Sequence, residues 1–300
     1  MAAATVGFIG LGQMGVPMVR NLLRAGISVL GFDLNPQALA ALADVPGFSA
    51  ASSAAQLAQD CPALVLMLPD SRIVDALLWG EPAAATPAAG LAALLKPGQL
   101  LIDMGSSDPV CSRDNAAKLA ALGIRFVDAP VSGGVRRAVD ASLAIMIGGE
   151  PAAVEQARPV LQALGKTLVH VGSAGAGHAV KALNNYVSAS GLLAVCEALV
   201  AAEKFGIDPK LVNQVFNAST GKNNTTEHKV ESFMLSEAFN SGFSLALMRK
   251  DLQTAQGFIS RMGTPGGFAA NCLQTWTAAE AGLARGADHT AMFKFVRDAV

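Results

Sequence analysis

The chain has 300 residues, enough for two domains with substantial cores, and its net charge of −1 with no basic run argues against nucleic acid as a partner. A hydrophobic fraction of 52% against 15% charged residues leans toward a membrane, but only the stretch from Gly175 to Phe205 is long and apolar enough to span one. That stretch carries Lys181, Asn184, Asn185, Ser188 and Glu197, and a lysine at a bilayer centre costs roughly 2.5–3.5 kcal/mol, so it reads as a buried helix between domains.

The four cysteines (Cys61, Cys111, Cys196, Cys272) form no metal-type or redox pair, and no basic region precedes the first apolar residues. A cytoplasmic protein is therefore expected, without secretory signal, membrane anchor or metal.

In chain order, Thr5 to Ile9 is a run of strand formers leading into Gly10-Leu11-Gly12-Gln13-Met14-Gly15, which opens a helix over Val16 to Ala25. In such a G-x-G-x-x-G turn the first glycine permits the bend and the second admits a pyrophosphate. The third lets helix and strand pack closely, and the helix N-terminus offers N–H donors to the phosphates. A second strand, Ser28 to Phe32, ends in Asp33, about twenty residues on, where a carboxylate hydrogen-bonds the adenosine ribose. An aspartate there repels a 2′-phosphate and no arginine follows in Leu34-Asn35-Pro36, so NAD is expected over NADP.

Ala63 to Leu68 is a continuous apolar run, as in a parallel sheet covered on both faces, and Pro69 stops it before a helix over Ser71 to Trp79. Further strands are expected at Leu100 to Asp103, Arg125 to Ala129, Leu143 to Ile147 and Thr167 to Val171, with a helix over Val110 to Leu122. Repeated strand–helix units imply a doubly wound α/β sheet with its ligand beyond the carboxyl ends of the strands. The loops Gly10–Gly15, Leu68–Pro69, Gly105–Ser107 and Pro130–Gly134 would then surround one crevice, with Leu68 and Pro69 on its cofactor side.

After Gly172 only helical segments are expected: the long helix, then Lys210 to Phe216, Glu227 to Phe233, Leu247 to Arg261, Ala269 to Ala284 and Thr290 to Arg297. The division is accordingly a dinucleotide-binding domain over residues 1–173 and an all-helical domain for substrate and oligomerisation over 174–300. In the long helix Lys181 shares a face with Asn184 and Asn185, a polar island that is costly unless it is used.

With Asp128-Ala129-Pro130-Val131-Ser132-Gly133-Gly134, Gly175-Ala176-Gly177-His178-Ala179-Val180-Lys181 and Lys250-Asp251-Leu252, the glycine turn makes the whole chain resemble the β-hydroxyacid dehydrogenases, the 3-hydroxyisobutyrate dehydrogenase family. The resemblance implies a Rossmann-type N-terminal domain and an all-α C-terminal one. It implies Lys181 as general acid/base and Asn185, rather than Asn184, as the residue that keeps substrate and lysine in register. It gives Ser132, Gly133 and Gly134 to the substrate carboxylate. Ser106, where the family usually has threonine, and Phe243 and Lys250 would contact the cofactor.

Two departures bear on the substrate. Arg137 and Ala141 stand where the family commonly has small residues, and Arg136-Arg137 either clamp a second anionic group or face solvent. The polar run Asn217 to Lys229 either offers Ser219, Thr220 and Asn224 to a polar substrate or caps helices. The expected activity is NAD-dependent oxidation of a small β-hydroxy acid, 3-hydroxyisobutyrate-like or a more polar C3–C4 acid such as serine, threonine or threonate, in a homodimer or homotetramer. The alternatives are reduction of a small semialdehyde and, more distantly, a non-catalytic NAD-binding module.

Overall fold

The computed structural model describes residues 5–80 and 90–299. Val6–Ile9 (β1) pairs in parallel with Val29–Phe32 (β2) on one side and Ala63–Leu66 (β4) on the other. Phe48–Ala50 (β3) adds outside β2, and Leu100–Asp103 (β5) and Arg125–Asp128 (β6) continue beyond β4, all parallel. The order 3-2-1-4-5-6 is the doubly wound arrangement. Beyond it Leu143–Gly149 (β8) runs antiparallel to β6 and to Val131–Ser132 (β7), and Gly165–Gly172 (β9) pairs in parallel with β8.

Both faces are covered because successive strand residues point to opposite sides. Val6, Phe8, Val65, Ile102 and Val127 join Met18, Val19 and Leu22 of Gly15–Arg24 (α1) and Val154 and Leu161 of Pro151–Leu164 (α7). On the other face Ile9, Leu64, Leu66, Leu101 and Phe126 meet Leu57 of Ala54–Asp60 (α3), Val74 and Leu78 of Ser71–Trp79 (α4) and Leu119 of Pro109–Ala121 (α5). Each such side chain contributes about 1.5–3 kcal/mol on burial.

Several elements lie outside those expected from the sequence. α7 is a full helix although its run holds Pro151 and Pro159. Pro151 occupies the first turn, where its missing N–H costs nothing, and Pro159 is tolerated inside. β3, α3 and Pro36–Ala40 (α2) are short and half-exposed, with little apolar periodicity. The Pro130–Gly134 stretch is not simply a loop: Val131 and Ser132 form β7, and Gly134 begins the short helix Gly134–Val139 (α6).

The chain divides into two compact units, Met1–Lys181 and Ala182–Val300, and the division falls within the 30-residue helix Ala176–Phe205 (α8). The second unit contains no strand among its described residues. It comprises the remainder of α8, Pro209–Ala218 (α9), Asn224–His228 (α10), a π-helical segment Val230–Leu235, Leu245–Arg261 (α11), Gly267–Gly282 (α12) and Met292–Asp298 (α13). The expected helix over Glu227 to Phe233 is thus two pieces, and the last helix starts at Met292 after a 3₁₀ turn.

By length and composition α8 could cross a membrane. Its Ala189, Leu192, Cys196 and Leu199 instead share one cluster with Leu252, Trp276, Met292 and Phe293, the packing of a core helix. No disulfide joins the four cysteines; Cys61, Cys196 and Cys272 are buried and Cys111 is half-buried. Burial, with the Asp60 charge, pushes the Cys61 thiol up to about 11, and burial raises the Cys196 and Cys272 thiols as well.

Candidate active site

The glycine turn leaves β1 at Gly10, whose φ of +99° is open to glycine and whose missing Cβ would collide with the Met67 carbonyl. Gly15 is equally filled, against the Gly10 carbonyl, whereas a Cβ at Gly12 would meet nothing within 4 Å. The turn is therefore packed from behind and bare in front. Met14 precedes α1 without a side-chain cap, and the first turn of α1 has no acidic residue. The Val16 N–H is bonded to the Gly12 carbonyl at 3.2 Å and Pro17 has no N–H, so the Gly15 N–H is the one this turn leaves to an outside acceptor.

Asp33 closes the same site from the end of β2. Its Oδ2 accepts the Leu11 N–H at 2.6 Å and its Oδ1 the Asn35 N–H at 2.7 Å. Leu11, Gly12, Gln13, Asp33, Asn35 and Gln37 line a pocket of about 630 Å³. A bare glycine backbone, an uncapped helix start and a fixed carboxylate with spare lone pairs fit an adenosine ribose and pyrophosphate.

The neighbouring loops converge at Leu68: its side chain lies against Gly10, and its carbonyl would stand 2.5 Å from a Cβ at Gly105. Pro69 is exposed and Ser106 half-buried. Asp103, buried at the end of β5, shapes the Ser106 turn by accepting the Gly105 N–H at 3.0 Å and the Ser107 hydroxyl at 2.7 Å. Ser132, on β7, and Gly134 are half-buried, while Gly133 is exposed. A Cβ at Gly133 would collide with the Arg137 stem, so that stem lies over the glycine. Arg136 and Arg137 are both exposed on α6.

Lys181 is half-buried on α8, less enclosed than the apolar run around it suggests. Asn185, one turn later, is buried and donates to Asp251 Oδ2 at 2.6 Å; Asn184 is exposed and donates to Asn185 Oδ1 at 3.1 Å. Asp251 also pairs with Lys250 at 3.4 Å. Phe243 stands edge-on to His289, 5.7 Å between ring centres, on a turn held by Asp288. Burial opposes ionisation of Asp288, but hydrogen bonds from His289, Thr290 and Ser241 hold its carboxyl well below the usual range.

In the polar run Asn217 to Lys229 the capping reading accounts for several residues. Asn223 and Thr226 form a capping box on α10, Asn217 donates to the Thr226 carbonyl, and Lys222 pairs with Glu227 at 2.8 Å. Among the described residues no group of three or more His, Cys, Asp and Glu side chains could hold a metal ion.

Sequence reasoning missed the roles of Asp103, Ser112, Asp128 and His178, which form one buried cluster in the first unit. Asp103 and Asp128 each end a parallel strand, and polar residues at that point of a doubly wound sheet are the signal that could have found them.

A doubly wound sheet whose glycine turn and post-strand carboxylate frame one pocket defines a dinucleotide-binding protein. Residues 5–172 match the family model described as the NAD binding domain of 6-phosphogluconate dehydrogenase. Residues 175–296 match the one described as NAD-binding of NADP-dependent 3-hydroxyisobutyrate dehydrogenase. The chain is 37% identical over 250 residues to 2-(hydroxymethyl)glutarate dehydrogenase of Eubacterium barkeri, covering 83% of this chain and 80% of that protein. It is 35% identical over 288 residues to a probable 3-hydroxyisobutyrate dehydrogenase of Mycobacterium tuberculosis, covering 93% and 94%. The solved structure of Mycobacterium tuberculosis 3-hydroxyisobutyrate dehydrogenase with L-serine matches with a TM-score of 0.88 at 32% identity, over 98% of this chain and 99% of that one. The chain belongs to the β-hydroxyacid dehydrogenase family and is an NAD-dependent dehydrogenase.

Proposed function

We propose that the enzyme oxidises the hydroxyl-bearing carbon of a small β-hydroxy acid, with Lys181 as general acid/base. When bound, NAD would supply the acceptor for the hydride leaving that carbon. The neutral Lys181 amine takes the hydroxyl proton, leaving a carbonyl; in reverse the ammonium returns it, and a semialdehyde is reduced. Asn185 orients the substrate, its own amide fixed by Asp251, and this buried hydrogen bond one turn after Lys181 is the observation that carries the reading. Ser132, Gly133 and Gly134 anchor the carboxylate. Gly10, Leu11, Gly12, Gln13, Met14, Gly15, Asp33, Leu68, Pro69, Ser106, Phe243 and Lys250 serve the cofactor, with Asp33 favouring NAD over NADP.

For the substrate, a β-hydroxy acid with a second anionic group is favoured by one observation. The Arg137 stem lies over Gly133, and among the described residues no carboxylate is within ion-pair distance of its guanidinium. The substrate named for the Eubacterium barkeri relative, 2-(hydroxymethyl)glutarate, carries two carboxylates. The monoacids 3-hydroxyisobutyrate, serine, threonine and threonate are the second reading.

Residues 1–173 and 174–300 act as the dinucleotide and substrate domains. The protein works in the cytoplasm as a homodimer or homotetramer, for which the exposed Val187, Leu211 and Val215 offer apolar surface. The deciding experiment is an NAD-reduction screen over C3–C6 hydroxy acids with wild-type enzyme and Lys181→Ala. The variant should lose several orders of magnitude in kcat while NAD affinity holds; near-native turnover refutes the assignment.

A further inference from the structure

We infer that Asp128 positions Lys181 by clamping the first turn of α8, an inference that rests on the assignment of Lys181 as acid/base. Asp128 ends β6 and is fully buried. Its two oxygens accept different N–H groups of one turn: Oδ1 that of Gly175 at 2.7 Å, and Oδ2 that of His178 at 2.9 Å. These donors belong to the helix start, where N–H groups have no partner within the helix, and a carboxylate there also meets the positive end of the helix dipole. Lys181 follows His178 by three residues, so the backbone fixed by Asp128 sets where the amine is presented.

The fit is steric as well as polar. A Cβ at Gly177 would stand 2.5 Å from the Met146 carbonyl and 2.8 Å from Asp128 Oδ2, and one at Gly148 would collide with Asp128 Oδ1. The carboxylate therefore lies between two bare stretches of backbone, one on β8 and one on α8. The His178 side chain extends the contact. Its Nδ1 is 2.8 Å from the Ser112 hydroxyl and 3.7 Å from Asp128 Oδ2. Its Nε2 lies 3.9 Å from Asp103 Oδ2 and has no hydrogen-bond partner. Because Asp103 also holds the Gly105–Ser107 turn, one buried cluster ties the Ser106 turn and the start of α8 to adjacent strand ends. Asp128 acts through the helix.

Two variants test this from opposite sides of the contact. Asp128→Asn keeps the shape but turns one acceptor into a donor facing a backbone N–H. Gly177→Ala pushes the same turn away with the Asp128 charge intact. Each is expected to lower kcat about a hundredfold, the cost of misplacing a reacting group by roughly 1 Å, while the NAD dissociation constant stays within about twofold. Rates are normalised to sites titrated with the reduced cofactor, so that lost fold is not counted as lost catalysis.

If the variants melt earlier but their titrated sites turn over at the wild-type rate, Asp128 only stabilises the fold and the inference is overturned. Should Asp128→Asn fail to fold, Gly177→Ala decides by the same criterion. Lys181→Ala, run alongside, separates the two assignments: if it is inactive while both clamp variants are unimpaired, the clamp alone fails. If it is active, the acid/base assignment fails first.

Discussion

Asp33→Asn isolates the charge at the end of β2 with little change of volume. In the native chain Oδ2 accepts from Leu11 at 2.6 Å and Oδ1 from Asn35 at 2.7 Å, leaving lone pairs for ribose hydroxyls. A hydrogen bond to a charged group contributes about 1.5–3 kcal/mol, and the amide keeps one acceptor while setting its NH2 against a backbone donor. Losing that amount weakens NAD binding about 10- to 150-fold, at about 1.4 kcal/mol per tenfold. NADP loses the same brace on the glycine turn but also loses the repulsion between Asp33 and its 2′-phosphate, so its kcat/KM falls less or rises. Steady-state kinetics with both cofactors, with fluorescence titration of their reduced forms, reads the ratio of kcat/KM values. An unchanged ratio refutes the role given to Asp33, whatever happens to the absolute rates.

Arg137→Ala should raise KM for a β-hydroxy diacid roughly ten- to a hundredfold, the loss of one charge-assisted contact, and leave a monoacid of similar length unaffected. Equal effects on both would remove Arg137 from substrate selection. The Asp288 carboxyl is held below its usual range, so its contribution to folding is complete above its unfolded value near pH 4 and is lost as pH falls through the lower folded value. Asp288→Asn should therefore lower the Tm at neutral pH and flatten the acid limb of a Tm–pH curve, whereas two parallel curves would show that the charge contributes nothing.

The sheet was legible because its central strands are buried on both faces and read as unbroken apolar runs, and because Gly10 to Gly15 and Asp33 sit at the ends of two of them. α8 was legible for a similar reason, its length and apolar content. What stayed hidden was short or contradicted by local residues: the three residues of β3, the two of β7, and α7 with its two prolines. Lys181 is another case, since a run of Ala, Leu and Val does not reveal that its lysine is only half-enclosed. The cluster of Asp103, Ser112, Asp128 and His178 was illegible as a unit, because its members are spread over 75 positions and only the sheet order brings two strand ends and two helices together. The Arg137 stem packed over Gly133 was half-visible: the departure stands in the sequence, and its direction is set only by the fold.

The uneven enclosure of the thiols has a practical use. Three sulfurs are shut inside with acidities too weak to leave appreciable thiolate at neutral pH, which leaves Cys111, in the first turn of α5, as the accessible one. A maleimide dye should therefore attach at a single position in the native protein, next to Ser112, whose hydroxyl holds His178. Without any cysteine removed, its emission would give a spectroscopic view of the helix start while cofactor and substrate are added.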